Sequence, residues 1–512
     1  MFLIDNFPAM VGYTTSALLF IAVTLGIYRH LFHPLRIYPG PFLSGITQAY
    51  AGFFALKRRL HIQIYQWHSQ YGSVVRVGPN RISFNTATAL RDIYNGDRTT
   101  KASSYLVSTT NNIFTIFTAV DNMLHRQKRQ IVGQALTDRS IRAFEPNLLE
   151  QLDICLSQIM EDSKSSTPVD MTKKSRRFAL DVIALLAFGY DLNIQTKDDN
   201  RFMLKGMTFS NMRFNVFSQF PFLTNFYPEK FADKIFYEAR NQYFGLLDKM
   251  IKTRMSQVKE EKQDFYSFVA DSLKHSGRGG ELWKEAIFFL IAGGDTAATA
   301  MCGTLFYLSR YPECYQKLAD EVRSTFLSGQ DIKTGPQLAS CRYLRACLDE
   351  SMRMTPPLAS TLWRQQSPHD NEPLIIDGNV IPSGTSVGVN IYALHHNEEY
   401  YPEPFTYNPE RWMNKETAPT AAFAPFLVGP RACAGKSLAY LETSCFIAKI
   451  IYYFDFTTAP GKLGELGGGK LAKTTSPAGP DEYLIEDVFT SRHQGPYLTF
   501  TPRDEARQDF GN

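Results

Sequence analysis

The sequence predicts a mainly α-helical protein with small β-sheets, folded as a single large domain behind an N-terminal transmembrane helix. Three observations carry that prediction. An uncharged apolar run lies near the start, long stretches with apolar residues at helical spacing fill most of the remaining chain, and short branched-apolar segments punctuated by Gly and Pro appear in two places. With 512 residues and 44% hydrophobic content there is ample material for a large core, and 38 Phe and 26 Tyr point to a roomy apolar interior. A net charge of +4 with no dense Lys/Arg block leaves no electrostatic footprint for nucleic acid. Seven cysteines without a CxxC pair fit neither a disulfide framework nor a zinc site.

The first element is the membrane helix. From Asn6 to Tyr28 no residue is charged, and a span needs roughly 20 apolar residues. Residues 1–30 therefore read as a signal anchor. A cleaved signal peptide would need a basic n-region and a small-residue cleavage site, and the chain has neither. No Lys or Arg precedes the run, whereas Arg29, Arg36, Lys57, Arg58 and Arg59 lie after it, which directs the rest of the chain to the cytosol. Residues 31–45, with Pro34, Pro39 and Pro41, read as a proline-rich hinge of extended geometry. Residues 46–512 are expected to form one large domain, with no internal repeat and no low-complexity linker to divide it.

Within that domain "VVRVGPNRISF" (Val74 to Phe84) predicts a β-hairpin around a Gly-Pro-Asn turn. Phe178 to Gly189, Lys234 to Met255 and Glu281 to Arg310 predict helices. The last contains Ala286 to Ser309, in which Asp295 is the one charge. Its threonines, glycines and central carboxylate suit a helix through the middle of a globule better than a second membrane span. Pro373 to Asn390 returns to short strands. "GELGGGK" (Gly464 to Lys470) imitates a phosphate-binding loop, but Leu471 stands where Ser or Thr is required, so it reads as a plain loop.

Chemistry concentrates in four segments. "AGGDT" (Ala292 to Thr296) places Gly293 and Gly294 inside the central helix, each costing about 1 kcal/mol relative to alanine. They would leave room for something to approach the backbone, or form a notch for a neighbouring helix. Thr296 is positioned to bond back to a carbonyl one turn earlier, and Asp295 beside it needs a partner or hydration. "DESMR" sets Glu350 and Arg353 on one helix face, and Arg411 in "NPERW" is placed to clamp Glu350 from a second side. "FLVGPRACAG" (Phe426 to Gly435) satisfies Phe-x-x-Gly-x-Arg-x-Cys-x-Gly at every specified position. Cys433 thus precedes a helix N-terminus, where the macrodipole and free N–H groups favour an anionic sulfur, while Gly429 and Gly435 permit a tight loop and close approach of a flat ligand. Such an arrangement suits thiolate ligation of haem iron.

In this order, these segments resemble the cytochrome P-450 family of haem-thiolate monooxygenases, over roughly residues 34 to 502. The resemblance implies the cytochrome P-450 fold and a haem b cofactor with Cys433 as the axial iron ligand. Phe426 and Gly435 would frame the haem. Arg431 matches the family's propionate arginine. His125 and Arg129 match a Trp-x-x-x-Arg pattern with His in place of Trp, and Arg364 is a third propionate partner. Asp295 and Thr296 would deliver protons during oxygen activation, and Glu350, Arg353 and Arg411 would form a buried structural triad. Electrons would come from NADPH through a separate reductase, since no flavin or nicotinamide fingerprint is present, with Arg126, Lys128 and Lys436 as docking contacts. Substrate contacts are expected from Phe114, Phe117, the segment Phe209 to Phe217, Phe288, Ala292, Leu358 to Leu362 and the neighbourhood of Val488.

The implied activity is haem-dependent monooxygenation of an apolar small molecule, resembling fungal enzymes that tailor secondary metabolites at the endoplasmic reticulum membrane. Two alternatives stand beside it: a haem-thiolate isomerase or dehydratase that needs no external electrons, and a haem-binding sensor without turnover. The pair Asp295 and Thr296 favours monooxygenation over both.

Overall fold

The computed structural model describes residues 7–109, 113–165, 167–226, 228–256, 279–414, 416–469 and 481–510. The first six residues of the expected anchor and Lys470 of the phosphate-loop imitation lie outside the described residues. The helices of twelve residues and longer are α1 (Phe7–Leu31), α2 (Leu60–Tyr71), α3 (Asn122–Ala135), α4 (Asp138–Lys164), α5 (Met171–Phe188), α6 (Phe202–Gln219), α7 (Pro228–Ser256), α8 (Gly279–Leu308), α9 (Pro312–Thr325), α10 (Arg342–Met354) and α11 (Lys436–Tyr453). The strands are β1 (Val74–Gly78), β2 (Arg81–Phe84), β3 (Thr99–Lys101), β4 (Val169–Asp170), β5 (Arg364–Gln366), β6 (Leu374–Ile376), β7 (Asn379–Ile381), β8 (Ser386–Val389), β9 (Phe454–Thr458), β10 (Ile485–Val488), β11 (Thr490–His493) and β12 (Tyr497–Pro502).

Helix α8 is the axis of the largest core. It packs against α5, α10 and α11, and its apolar half from Phe288 to Leu308 is mostly buried, as expected of a central helix rather than a second span. The closest partner is α5, whose ends are well specified. The Asp170 carboxylate caps its first turn by accepting from the Lys173 amide, and Gly189 closes it at φ 54°. Gly293 and Gly294 of α8 face this side. A Cβ on Gly293 would stand 2.6 Å from Ile183, and one on Gly294 would stand 3.0 Å from Met207. Both glycines are therefore a packing notch for α5 and α6. Of the two readings the sequence leaves open, a groove for a ligand or a notch for a helix, the notch holds at these two positions.

The predicted hairpin forms as β1 and β2 and becomes one edge of a five-stranded sheet in the order β1-β2-β8-β5-β3. Only the β2–β8 pairing is parallel, and the β3–β5 register sets Lys101 opposite Arg364. A second sheet joins β4, β12 and β9, and two ribbons, β6–β7 and β10–β11, stand apart. A separate core beside the five-stranded sheet includes Ile82, Phe84, Leu90 and Val387.

At the N-terminus, α1 is long and apolar enough to cross a membrane, and Leu19, Phe20 and Ile27 on it are exposed. The segment after it differs from the extended hinge expected of it. Pro34–Ile37 forms a 3₁₀ turn and Phe42–Ile46 a short helix, Leu35 is fully buried, and the Pro39 carbonyl accepts from the Arg76 amide of β1. Gly40 allows this contact, because a Cβ there would lie 2.4 Å from the Arg76 carbonyl oxygen. The prolines thus shape a folded connection onto the sheet.

Candidate active site

The loop from Phe426 to Gly435 delivers Cys433 to the end of α11. The Cys433 amide donates to the Phe426 carbonyl (2.8 Å), closing the loop, and Gly435 occupies the N-cap. Gly429 adopts φ 78°, and a Cβ there would meet the Tyr94 carbonyl oxygen at 2.0 Å. Its glycine is therefore required by chain-to-chain contact rather than by a ligand. Gly435 instead borders open space, with nothing within 4 Å of a built Cβ. Phe426 packs on Tyr440 at 5.0 Å. Of the seven cysteines, Cys433 alone is exposed. Protein nevertheless surrounds it deeply enough for burial to push its thiol pKa up. The Gly435 amide, Arg129 and Lys436 oppose that shift. The expected helix-terminus effect is present but outweighed in the protein alone, and direct metal ligation is what would deprotonate this sulfur outright.

Beside the loop, five basic side chains converge. The Asp121 cap of α3, which accepts from the Leu124 amide, starts the helix so that His125 and Arg129 lie one turn apart on it. Arg129 donates to the Ala432 carbonyl (2.5 Å), next to Cys433. Arg431 donates to the carbonyls of Ala119 (2.7 Å) and Val120 (2.9 Å) and to Asn122 Oδ1 (2.8 Å). Arg364 and Lys101 face each other across the sheet. Burial together with Arg431, Lys101, Arg129 and Arg364 lowers the His125 pKa to about 3, so the ring is neutral. Burial and Arg364 lower Arg431 to about 10, and burial with Arg364 and Arg431 puts Lys101 well below its ordinary value. A cavity of about 330 Å³ opens here, bordered by Tyr94, His125, Arg126, Arg129, Arg364 and Arg431. Cations held together against their mutual repulsion make a site for an anion.

On the other side, α8 offers Phe288, Ala292 and Thr296 at four-residue spacing, each only partly buried, as are Phe289, Ile291 and Gly293 beside them. Thr296 Oγ1 donates to the Ala292 carbonyl (2.6 Å), the bond to the preceding turn that the sequence predicts. Asp295 points elsewhere. Its carboxylate accepts from Arg176 of α5 (2.8 and 3.0 Å) and from Asn211 of α6 (3.3 Å), so the acid is paired and turned toward two neighbouring helices. Ala434, adjacent to Cys433, packs into the same apolar cluster as Ile116 and Phe288, which places the cysteine loop and this face of α8 around one space.

The expected triad assembles in the interior. Arg353 donates to both carboxylate oxygens of Glu350 (2.8 and 2.9 Å), and Arg411 reaches Oε1 at 3.2 Å. The Trp412 indole (3.0 Å) and the Asn408 amide (3.0 Å) complete the carboxylate's partners. Glu350 and Arg353 are wholly buried, and Arg353 also donates to the carbonyls of His395 and Pro404.

A sequence model of the cytochrome P-450 family matches residues 42–476. The chain belongs to the cytochrome P-450 family. It is 34% identical to the cytochrome P-450 monooxygenase apf7 of Gibberella fujikuroi, over 94% of this chain and 96% of that one. It is 35% identical to the cytochrome P-450 monooxygenase poxM of Penicillium oxalicum, over 96% and 95%. A third monooxygenase of the family, from Alternaria alternata, is 31% identical over 93% and 94%. The protein is a haem-dependent cytochrome P-450 monooxygenase.

The side chains present fit haem. An accessible thiol at the end of a glycine-bordered loop suits the iron, and a cation cluster with few carboxylates suits two propionates. Within this cytochrome P-450, sequence reading missed Lys101. It lies on a three-residue strand, and its place in the cluster depends on pairing with a strand far along the chain. The only local signal was a lone basic residue between threonines and serines, in "TTKASS" (Thr99 to Ser104). Arg176, the partner of Asp295, was also missed, being 119 residues away from it. One expectation fails. Lys128 is buried and paired with Glu285 of α8 at 2.9 Å, so it cannot meet a reductase, whereas Arg126 and Lys436 are exposed.

Proposed function

We propose that this cytochrome P-450 is a membrane-anchored enzyme that inserts one oxygen atom of O₂ into an apolar small molecule, as a tailoring step in fungal secondary metabolism. The observation that carries this reading is the convergence of Cys433, the basic cluster and the Thr296 face of α8 around one space. Residues 1–30 would anchor the chain in the endoplasmic reticulum membrane, residues 31–45 connect it, and residues 46–512 form the cytosolic catalytic domain. Arg29, Arg36 and Lys57 to Arg59 after the apolar run support that orientation.

In this reading Cys433 would ligate the iron, with Phe426 and Gly435 in the loop that carries it. Arg129, Arg364 and Arg431 would hold the propionates by charge-assisted hydrogen bonds in place of some of the backbone carbonyls they now contact. Lys101 joins them, and His125 contributes a neutral N–H. When bound, haem b supplies the one-electron and O₂ chemistry that no side chain here provides. Thr296 holds a hydroxyl proton at the open face of α8. Asp295 lies behind it, paired to Arg176, and would relay a proton taken up from solvent once that pair opens. Phe117, Phe214, Phe288 and Phe489 exclude water above that face. The Glu350, Arg353 and Arg411 group fixes the chain in the interior. Electrons arrive from NADPH by way of a separate reductase that docks on the face carrying Arg126 and Lys436.

Thr296→Ala tests the proton role. Haem content and the resting spectrum stay as in the wild type, while oxygen consumption separates from product formation. A variant that remains fully coupled removes Thr296 from the proton path.

A further inference from the structure

The β10–β11 turn carries a backbone conformation that calls for an explanation. Phe489, at its tip, adopts φ 83°, a left-handed conformation that a bulky side chain takes only when its surroundings impose it. The residue two positions earlier imposes it. Asp487 is buried, and its Oδ1 accepts from three elements at once: the Phe489 amide (3.0 Å), the Ser360 hydroxyl (2.6 Å) and the Asn215 amide of α6 (3.2 Å). The Asp487 carbonyl accepts from the same Asn215 nitrogen (2.9 Å), and its own amide donates to the Arg58 carbonyl. Its Oδ2 has no hydrogen-bond partner among the described residues, and burial raises its pKa to about 6. A carboxyl kept in so unfavourable a setting is held there by what it joins.

What it joins is a cluster of rings. Phe489 packs against Phe214, the neighbour of Asn215, at 4.6 Å and against Phe117 at 5.3 Å. Phe117 stacks on Phe288 at 5.1 Å with planes 15° apart, and meets Phe214 at 5.2 Å. Phe288 lies on the stripe of α8 that carries Ala292 and Thr296, two turns before Thr296 and so about 12 Å along the helix axis. The rings therefore form one cluster at the Phe288 end of that stripe, with one contributor each from α6, α8, the loop before α3 and the β10–β11 turn.

We infer that Asp487 is a positioning residue for substrate selection: by fixing the Phe489 backbone and the α6 side of the cluster together, it holds a phenylalanine roof closed and so limits the length of substrate that fits above Thr296. This deepens the function proposed above and rests on it. Removing the carboxylate frees the turn, the Phe489 ring leaves Phe214, and the space lengthens. Asp487→Asn retains an acceptor at Oδ1 and keeps the roof.

The test uses two probes with the same iron-binding head, 1-phenylimidazole and 1-dodecylimidazole, titrated against the haem-loaded full-length protein by the shift of the haem absorption band. In the wild type the short probe binds in preference to the long one. Asp487→Ala and Phe489→Ala each move the ratio of the two dissociation constants toward the long probe by about tenfold, the equivalent of burying about two further methylenes. The double variant moves it no further, since both changes open the same roof. Asp487→Asn keeps the wild-type ratio. If Asp487→Ala fails to load haem, Asn215→Ala replaces it and shifts the ratio in the same direction. An unchanged ratio in the haem-loaded Ala variants, or shifts that add in the double variant, overturns the inference. A purely structural role would lower thermal stability and leave the ratio alone. Absence of any spectral shift with either probe in the wild type would instead contradict the haem reading itself.

Discussion

At the scale of single residues, the decisive contrast is between Cys433 and the other thiols. Cys155, Cys302, Cys341, Cys347 and Cys445 are buried, with their thiol pKa values raised by desolvation, and have no route to a ligand. Cys433 faces open space beside Gly435 and four residues from Gly429. The buried triad shows how much one carboxylate can hold. Glu350 accepts from Arg353, Arg411, Trp412 and the Asn408 amide with no exposure to water. Replacing it with Gln leaves two guanidinium groups short of a countercharge, and breaking a buried pair in this way costs about 3–5 kcal/mol. Glu350→Gln therefore unfolds at markedly lower denaturant concentration and retains little haem. A variant of wild-type stability would show that the pair is not a structural requirement. These local motifs were legible because each is written in a few adjacent residues. Cys433 with Arg431, and Glu350 with Arg353, need only the geometry of a loop or one helical turn to meet.

Elements add what the local motifs could not say. Helix α8 was recognisable from its composition, but the direction its glycines face was not, since this depends on Ile183 of α5 and Met207 of α6. The same limit hid Arg176 behind Asp295, and concealed Lys101 until the register of β3 with β5 placed it opposite Arg364. Lys128 was misread for a related reason: a charge on an amphipathic helix looks solvent-facing until the neighbouring helix supplies Glu285. Helix α11 carries a further buried acid. Glu442 has an Oε1 without a hydrogen-bond partner among the described residues, and desolvation raises its pKa to about 8. The folded protein therefore holds a proton there that the unfolded chain releases above about 4.5. The stability from the neutral acid is fully present below pH 4.5 and is lost as the pH rises through about 8. Glu442→Gln should thus gain on the wild type across that window, by about 1.4 kcal/mol for each pH unit. Thermal unfolding of both proteins at pH 5 and pH 8.5 reads this. A melting-point difference independent of pH would mean that Glu442 is solvated or paired in the folded state.

For the whole molecule, the fold sets one long helix against a cysteine loop and lets a small sheet bring in cations from distant parts of the chain. Helix α1 and the folded connection after it attach to the same sheet, the Arg29 and Pro39 carbonyls both accepting from Arg76. Arg126 and Lys436 remain exposed basic residues near the Cys433 loop, with Arg126 only loosely paired to Asp97 across an exposed contact. Reversing both charges should lower reductase-supported turnover several-fold at low ionic strength, an effect that fades as salt screens the encounter. Reduction by dithionite should be unaffected. Unchanged turnover with the reductase would place docking elsewhere.

The most direct measurement is the carbon monoxide difference spectrum of the dithionite-reduced protein, for the wild type and for Cys433→His. With Cys433 as the thiolate ligand, the wild type shows the strongly red-shifted band of a haem-thiolate carbonyl complex. The variant still binds haem through its basic cluster but gives the unshifted band of imidazole ligation. A red-shifted band that survives in Cys433→His would contradict the assignment.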